Sequence, residues 1–196
     1  MKSIPKIPKE TAQRLAIHSS LLSDDHELAT GKQGVLQTIE HLGYVQIDTI
    51  SVIERAHKHT IWNRRPDFTE DLLHELLAED KHILEYWGHA HSYLPMKDFR
   101  YTLPLKERRS NPESAWHKRI TKMAGHLKEL VLERITNEGP VSSKDFKDSD
   151  TIEGGWGSYK HTSIALDLLF MEGHTMVAER QNFQRYYDLT DRVLPE

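Results

Sequence analysis

Leu42-Gly43-Tyr44-Val45-Gln46-Ile47-Asp48-Thr49-Ile50 is the stretch on which the rest of the chain turns. Its residues alternate with a period of two. That predicts a strand entered through Gly43, with Val45, Ile47 and Thr49 on one face and Tyr44, Gln46, Asp48 and Ile50 on the other. Val and Ile suit a pleated, half-buried surface. The second face is unusual. An amide and a carboxylate stand two residues apart between large apolar neighbours, pointing the same way. On a buried face, Asp48 needs a partner or a chemical job.

Upstream, the pattern predicts a helix over 9–23, capped by Thr11, with a stripe of Leu15, Ile17, Leu21 and Leu22. A second helix follows over 32–42, closed by Gly43 at the position after its C-cap. Downstream, Ser51 and Glu54 fit a capping box, so a short helix is expected near 51–58. A turn at Asn63–Asp67 precedes a helix over 69–79. Ile83–Pro95 is aromatic and strand-like in parts, and 96–112 reads as irregular and basic.

After Pro112 the pattern becomes more legible. A long helix is expected from Glu113 to Asn137, with Ile120, Met123, Leu127, Leu130, Val131 and Ile135 facing inward. Val141–Phe146 reads as a capped short helix and Gly154–Gly157 as a loop. Helix 158–172 ends at Gly173, and two strands (175–179 and 185–189) flank a turn at Arg180–Phe183. Helix, short helix, helix and hairpin is the winged-helix order, a relative of helix-turn-helix. The first half has the elements of a degenerate version. The expected fold is therefore mostly α (α+β), with tandem winged-helix units at 1–112 and 113–196.

The 196 residues carry 37% hydrophobic and 29% charged side chains, which fits one or two globular domains. No apolar run is long enough to span a membrane, and the N-terminus lacks a signal-peptide core. With no Cys there is no disulfide, thiol nucleophile or thiolate metal site. A cytoplasmic, nucleoid-associated location is expected. The net charge of −4 hides a polarised distribution: residues 97–122 hold eight basic side chains against three acids. Such a face can track phosphates, or it can simply be a solvated surface. His57-x-His59 and His89-x-His91 would each put two imidazoles on one strand face. With 13 His in the chain, chance pairs are expected, and neither a metal nor a cofactor is.

Several motifs recur together in order: Val45-Gln46-Ile47-Asp48-Thr49-Ile50, Arg55, Arg64-x-Pro66, Glu85-Tyr86-Trp87-x-His89, Asn182-Phe183-Gln184-Arg185-x-Tyr187-Asp188-Leu189-Thr190, and Arg192-Val193-x-Pro195. In this the chain resembles the YcaQ-type (AlkZ-like) bacterial winged-helix DNA glycosylases, implicated in excising alkylated bases and unhooking interstrand crosslinks. The resemblance maps that family's Gln-aliphatic-Asp motif onto Gln46 and Asp48. Its members continue past the position of Glu196 into a third winged helix and a β-rich region. The chain is thus expected to correspond to their N-terminal part.

The resemblance implies a DNA glycosylase acting on double-stranded DNA with alkylated or crosslinked purines; with no Lys beside the motif a monofunctional enzyme is expected, and no obligate protein partner is inferred. Breaking an N-glycosidic bond passes through an oxocarbenium-like sugar, which a carboxylate stabilises; it can also take a proton from water. Asp48 fits that role, and Gln46 can hold the water. Alternatively, Asp48 caps the next helix and Gln46 satisfies a backbone group. Glu85, Trp87 and His89 are candidates for a pocket around the damaged nucleotide, or for an aromatic core. Arg55, Arg64 and Arg65 near the motif, and Arg180, Gln181 and Arg185 at the hairpin tip, are candidate DNA contacts. Lys97, Arg100, Lys118 and Arg119 are candidate phosphate contacts. The competing reading is a non-catalytic winged-helix DNA-binding protein or transcriptional regulator.

Overall fold

A computed structural model describes residues 6–23, 25–111, 114–146, 151–154 and 157–195. In the first half, α1 (Lys9–Ser19), α2 (Gly31–Leu42), β1 (Val45–Gln46), α3 (Ala56–Trp62) and α4 (Glu70–His74) follow in order. A π-helical turn, Glu75–Glu79, extends α4. Strands β2 (Ile83–Trp87) and β3 (His91–Pro95) come next, then a 3₁₀ segment (Met96–Thr102) and α5 (Leu103–Ser110). The second half runs α6 (Ala115–Ala124), a 3₁₀ turn at Gly125–Leu127, α7 (Lys128–Glu138) and a 3₁₀ turn at Ser143–Asp145. It ends with β4 (Thr151–Gly154), β5 (Gly157–Lys160), α8 (His161–Glu172), β6 (Thr175–Gln181), β7 (Gln184–Leu189) and α9 (Thr190–Val193).

The chain is mostly helical with small antiparallel sheets, as the sequence predicts. One sheet has the order β1-β3-β2; β4 pairs with β5, and β6 with β7. Val141 bridges antiparallel to Tyr187, tying the end of α7 to the hairpin. Helix α8 is apolar nearly all round because it is surrounded by α5, α6, α7 and β6. Gly173 ends it at φ +89, where any Cβ would also stand 2.7 Å from Lys106. A single apolar cluster runs through both halves, joining Ile39, Ile61, Leu76 and Ile83 to Leu169 and Met176. The Tyr86 hydroxyl donates to Met171 O at 2.6 Å across that junction. Among the described residues, no helix is long and apolar enough to cross a membrane.

Several expected elements differ. The strand at 44–50 is regular only over Val45–Gln46, although Ile47 N–H still donates to His91 O at 2.8 Å. Beyond Ile47 the chain leaves the ladder, because Asp48 turns it. Ser51 caps no helix; it pairs with Arg55, and α3 begins at Ala56. Helix α1 is preceded by Pro8 rather than capped by Thr11, and it leaves Leu15 and Ile17 exposed. Of its expected stripe only Leu21 is buried, beyond the helix end at φ +57. The long helix over 113–137 is broken at Gly125, where glycine is a poor helix former. The break rotates α7 so that Leu130 is exposed while Val131 and Ile135 stay inside. The segment 96–112 is helical over most of its length, with Pro104 in the first turn of α5 where it needs no N–H donor. The proposed boundary at Pro112 lies outside the described residues.

Candidate active site

Gln46 sits on β1, at the edge of its sheet, paired with Ser92 and exposed. Its neighbour Val45 pairs with Tyr93, so the pleat puts Gln46 on the opposite face from Tyr93 and Glu85. Asp48 is half-buried. Its Oδ1 accepts from Ile50 N–H at 2.8 Å, an Asx turn, and its other oxygen has no partner among the described residues. The face carrying Gln46 and Asp48 is therefore open to solvent at Gln46 and Ile50, not sealed in a core.

The Asp48 turn is tethered twice from the start of α3. Asp48 N–H donates to His57 Nδ1 at 3.3 Å, and Arg55 Nη1 donates to Thr49 O at 2.6 Å. The first bond fixes Nδ1 of His57 as the acceptor and leaves its proton on Nε2. The imidazole is 2% exposed. Burial, helped by the charges of Lys58, Arg180 and Arg55, pulls it down to about 4, so it is neutral at physiological pH.

Glu85 is the most deeply buried carboxylate of the site, at 1% exposure. Arg180, from β6, donates Nε to Oε1 at 2.5 Å and Nη2 to Oε2 at 2.7 Å. His91 Nε2 lies 2.7 Å from Oε2. Burial alone would push the Glu85 carboxyl up. The hydrogen bonds and charge of Arg180 and His91 overcome it and hold the group at about 2. Arg180 aims inward because a bulge between Val177 and Glu179 shifts the register of β6.

These groups converge on Phe183, at the tip of the β6–β7 hairpin. Arg180 Nη1 donates to Phe183 O at 2.8 Å. The guanidinium carbons of Arg55 and Arg180 lie 3.6 and 4.4 Å from the ring centroid. His57 is nearly parallel to the same ring, 20° off at 6.1 Å, and tilted against Tyr93 at 6.0 Å. Next to them opens a cavity of about 410 Å³, with Arg55, His57, Tyr93, Arg180 and Phe183 in one wall. Glu54, Lys58, Glu70 and Asp71 form much of the rest. Lys58 Nζ bonds Glu70 at 2.5 Å and Glu54 at 3.2 Å.

The three residues expected to form a pocket with the motif do not share one. Glu85 is fully engaged inside, whereas Trp87 and His89 are exposed at the outer end of the β2–β3 hairpin. Trp87 lines a different cavity of about 290 Å³ with Leu94, Tyr101 and Leu105. The candidate DNA contacts also divide. Arg64 donates to Ser20 O and Thr60 O, and Arg65 pairs with Asp67, so both staple local structure. Arg185 pairs with Asp167 over the Tyr187 ring, and Arg180 is inside rather than at the tip. Lys97 pairs with Glu40, and Arg100 lies over Tyr101. Lys118 and Arg119 are exposed on α6, and Gln181 is exposed on the hairpin. Within the basic stretch, Lys106 is buried against Phe99 and Tyr86, and burial brings it down to about 8.

His59 and His89 are exposed and join no group of metal-type ligands among the described residues. One such group exists elsewhere: His18, Asp25 and His26. Its geometry suits helix capping. His26 Nε2 donates to His18 O at 2.8 Å, and His41 Nε2 donates to Ser19 O at 2.9 Å, at the carbonyl end of α1.

Sequence reading missed His57, Phe183 and the Glu85–Arg180 pair as parts of one site. A cationic residue three positions before an aromatic hairpin tip is a weak signal, and it gains meaning only once β6 is laid beside β2. The model of the DNA glycosylase AlkZ-like family matches residues 39–196. That is well over half of the chain, which therefore belongs to this family. No solved structure matches the chain.

Proposed function

We propose that the chain is a monofunctional DNA glycosylase, or the N-terminal part of one, that hydrolyses the N-glycosidic bond of alkylated or crosslinked purines. In this reading Asp48 stabilises the oxocarbenium-like sugar or takes the proton of the attacking water, and Gln46 positions that water. The carrying observation is the placement of Asp48. It is half-buried, keeps one oxygen without a partner among the described residues, and is bonded through its own N–H to His57 in the cavity wall. Neither Asp48 nor Gln46 lines that cavity; the bond to His57 is what connects the Asp48 turn to its wall.

The cavity of about 410 Å³ is large enough for an extruded base, and its wall of aromatic rings and carboxylates suits a cationic alkylated purine. An N7- or N3-alkylated purine departs without strong acid assistance, so one carboxylate suffices. The sequence shows no lysine beside the motif, yet Lys58 lines the cavity. Burial tends to lower its affinity for a proton, but Glu70 and Glu54 prevail and raise it. An ammonium held that way is a poor Schiff-base nucleophile, which supports hydrolysis without a lyase step.

The scaffold reading is two winged-helix units at 1–112 and 113–196 in a cytoplasmic, nucleoid-associated protein. Supporting it are α7, the capped turn at Ser142–Asp145, α8 and the β6–β7 hairpin, with Val141 bridged to Tyr187. The rival reading, a non-catalytic winged-helix DNA-binding module, draws on the Asx turn that already occupies Asp48 Oδ1.

The test is base release from a duplex carrying N7-methylguanine. Asp48→Asn should bind the duplex as wild type does and release the base about 10²–10³-fold more slowly. Undiminished release by that variant sinks the assignment of Asp48.

A further inference from the structure

We propose that Phe183 is a positioning residue: the tip of the C-terminal hairpin holds the Asp48 turn in place, 135 residues away in sequence. This rests on the glycosylase reading of Asp48. The turn has two side-chain tethers, His57 to the Asp48 amide and Arg55 to the Thr49 carbonyl. Both tethers rest on the same ring, Phe183. The ring is in turn fixed by Arg180, which grips the Phe183 carbonyl and is anchored at Glu85. The line of contact runs Glu85, Arg180, Phe183, then His57 and Arg55, then Asp48 and Thr49. Neither tether alone is strong; a shared rigid support makes them act together.

The backbone gives an independent reason. Asn182 and Phe183 form a two-residue turn with φ of +47 and +67. Hairpins of this kind favour Asn-Gly, because both central residues are left-handed. Asn182 obeys the preference and Phe183 violates it, since a bulky side chain is disfavoured there. Such outliers cluster where a site needs a side chain that the local fold does not. Here the hairpin gives up its best turn residue and gains a ring against His57 and Arg55.

Phe183→Gly gives the hairpin its better turn but gives up the ring's packing on the core, so folding and function are read separately. Wild type, Phe183→Gly and Phe183→Tyr are compared by thermal melting, by amide hydrogen exchange over residues 46–50, and by release of N7-methylguanine from duplex DNA. Phe183→Gly is expected to stay folded at the assay temperature, to exchange the Asp48 amide at least about 10-fold faster, and to release base about 10–100-fold more slowly. Phe183→Tyr keeps the ring and should match wild type in both. Should Phe183→Gly melt far below wild type, Phe183→Leu replaces it: apolar bulk stays and the aromatic contacts go. Unchanged exchange over 46–50, or faster exchange with unchanged base release, overturns the positioning role. A wild-type protein that releases no base while Phe183→Gly loosens the Asp48 amide defeats the glycosylase reading and leaves the support of the turn standing.

Discussion

Arg180 on β6 holds both carboxylate oxygens of Glu85 on β2, through bonds of 2.5 and 2.7 Å between residues 95 apart in sequence. The pair lies at the seam where the hairpin meets the first sheet, with the same guanidinium reaching Phe183 O. A buried, bidentate pair of this kind fixes orientation as well as proximity. It sets the angle at which the hairpin tip meets α3.

Breaking the pair from one side should be costly. Arg180→Met leaves Glu85 buried with His91 alone, and about 3–5 kcal/mol of stability is expected to go at pH 7. The loss should shrink as pH falls, because an unpaired buried carboxyl takes up a proton. Glu85→Met with Arg180→Met removes both charges and should recover most of the loss. Urea unfolding of the two single variants and the double variant measures this; a double variant as unstable as the singles would show that the charges, not the packing, hold the seam.

His57 gives the acid end of the stability curve a definite window. Its folded value is about 4 against an ordinary 6.5, so the unfolded chain takes up the proton first. The stabilisation from neutral His57 is complete above pH 6.5 and is lost as pH falls from 6.5 to 4, on the order of 2 kcal/mol. Glu85, held at about 2 against 4.5, loses its contribution only lower down, between pH 4.5 and 2. Unfolding wild type and His57→Asn in urea at pH 7, 5.5 and 4 cancels the other histidines. The gap between the two proteins should narrow across that range; a constant gap would refute the assignment.

The elements legible in sequence were those that local chemistry decides. Gly43 and Gly173 end helices as their sequence positions predict, and the apolar run of α8 is buried as its composition demands. Elements set by distant partners were not legible. The strand through Asp48 stops early because the side chain bonds Ile50 N–H, a choice that alternation does not record. Arg180 reads as a tip residue until the bulge in β6 is counted. Gln46 and Glu85 were grouped by motif, yet the pairing of β1 with β3 puts them on opposite faces. His57 attracted notice as half of a His-x-His pair, and its role depends on a ring that arrives 126 residues later.

Within the basic stretch 97–122, Lys97 is tied to Glu40 and Arg100 to Tyr101. Lys106 is buried. Lys118 and Arg119 are adjacent on α6 and exposed, with no ion pair among the described residues for a phosphate to displace. If both touch phosphates, replacing them with Gln removes up to two counterion-releasing contacts, and the log–log salt slope of duplex binding becomes shallower by about 1–2. Stability should change by less than about 0.5 kcal/mol, since exposed side chains are replaced. The measurement is duplex affinity at several salt concentrations for wild type and the Lys118→Gln, Arg119→Gln variant. Parallel slopes would move the phosphate contacts off α6.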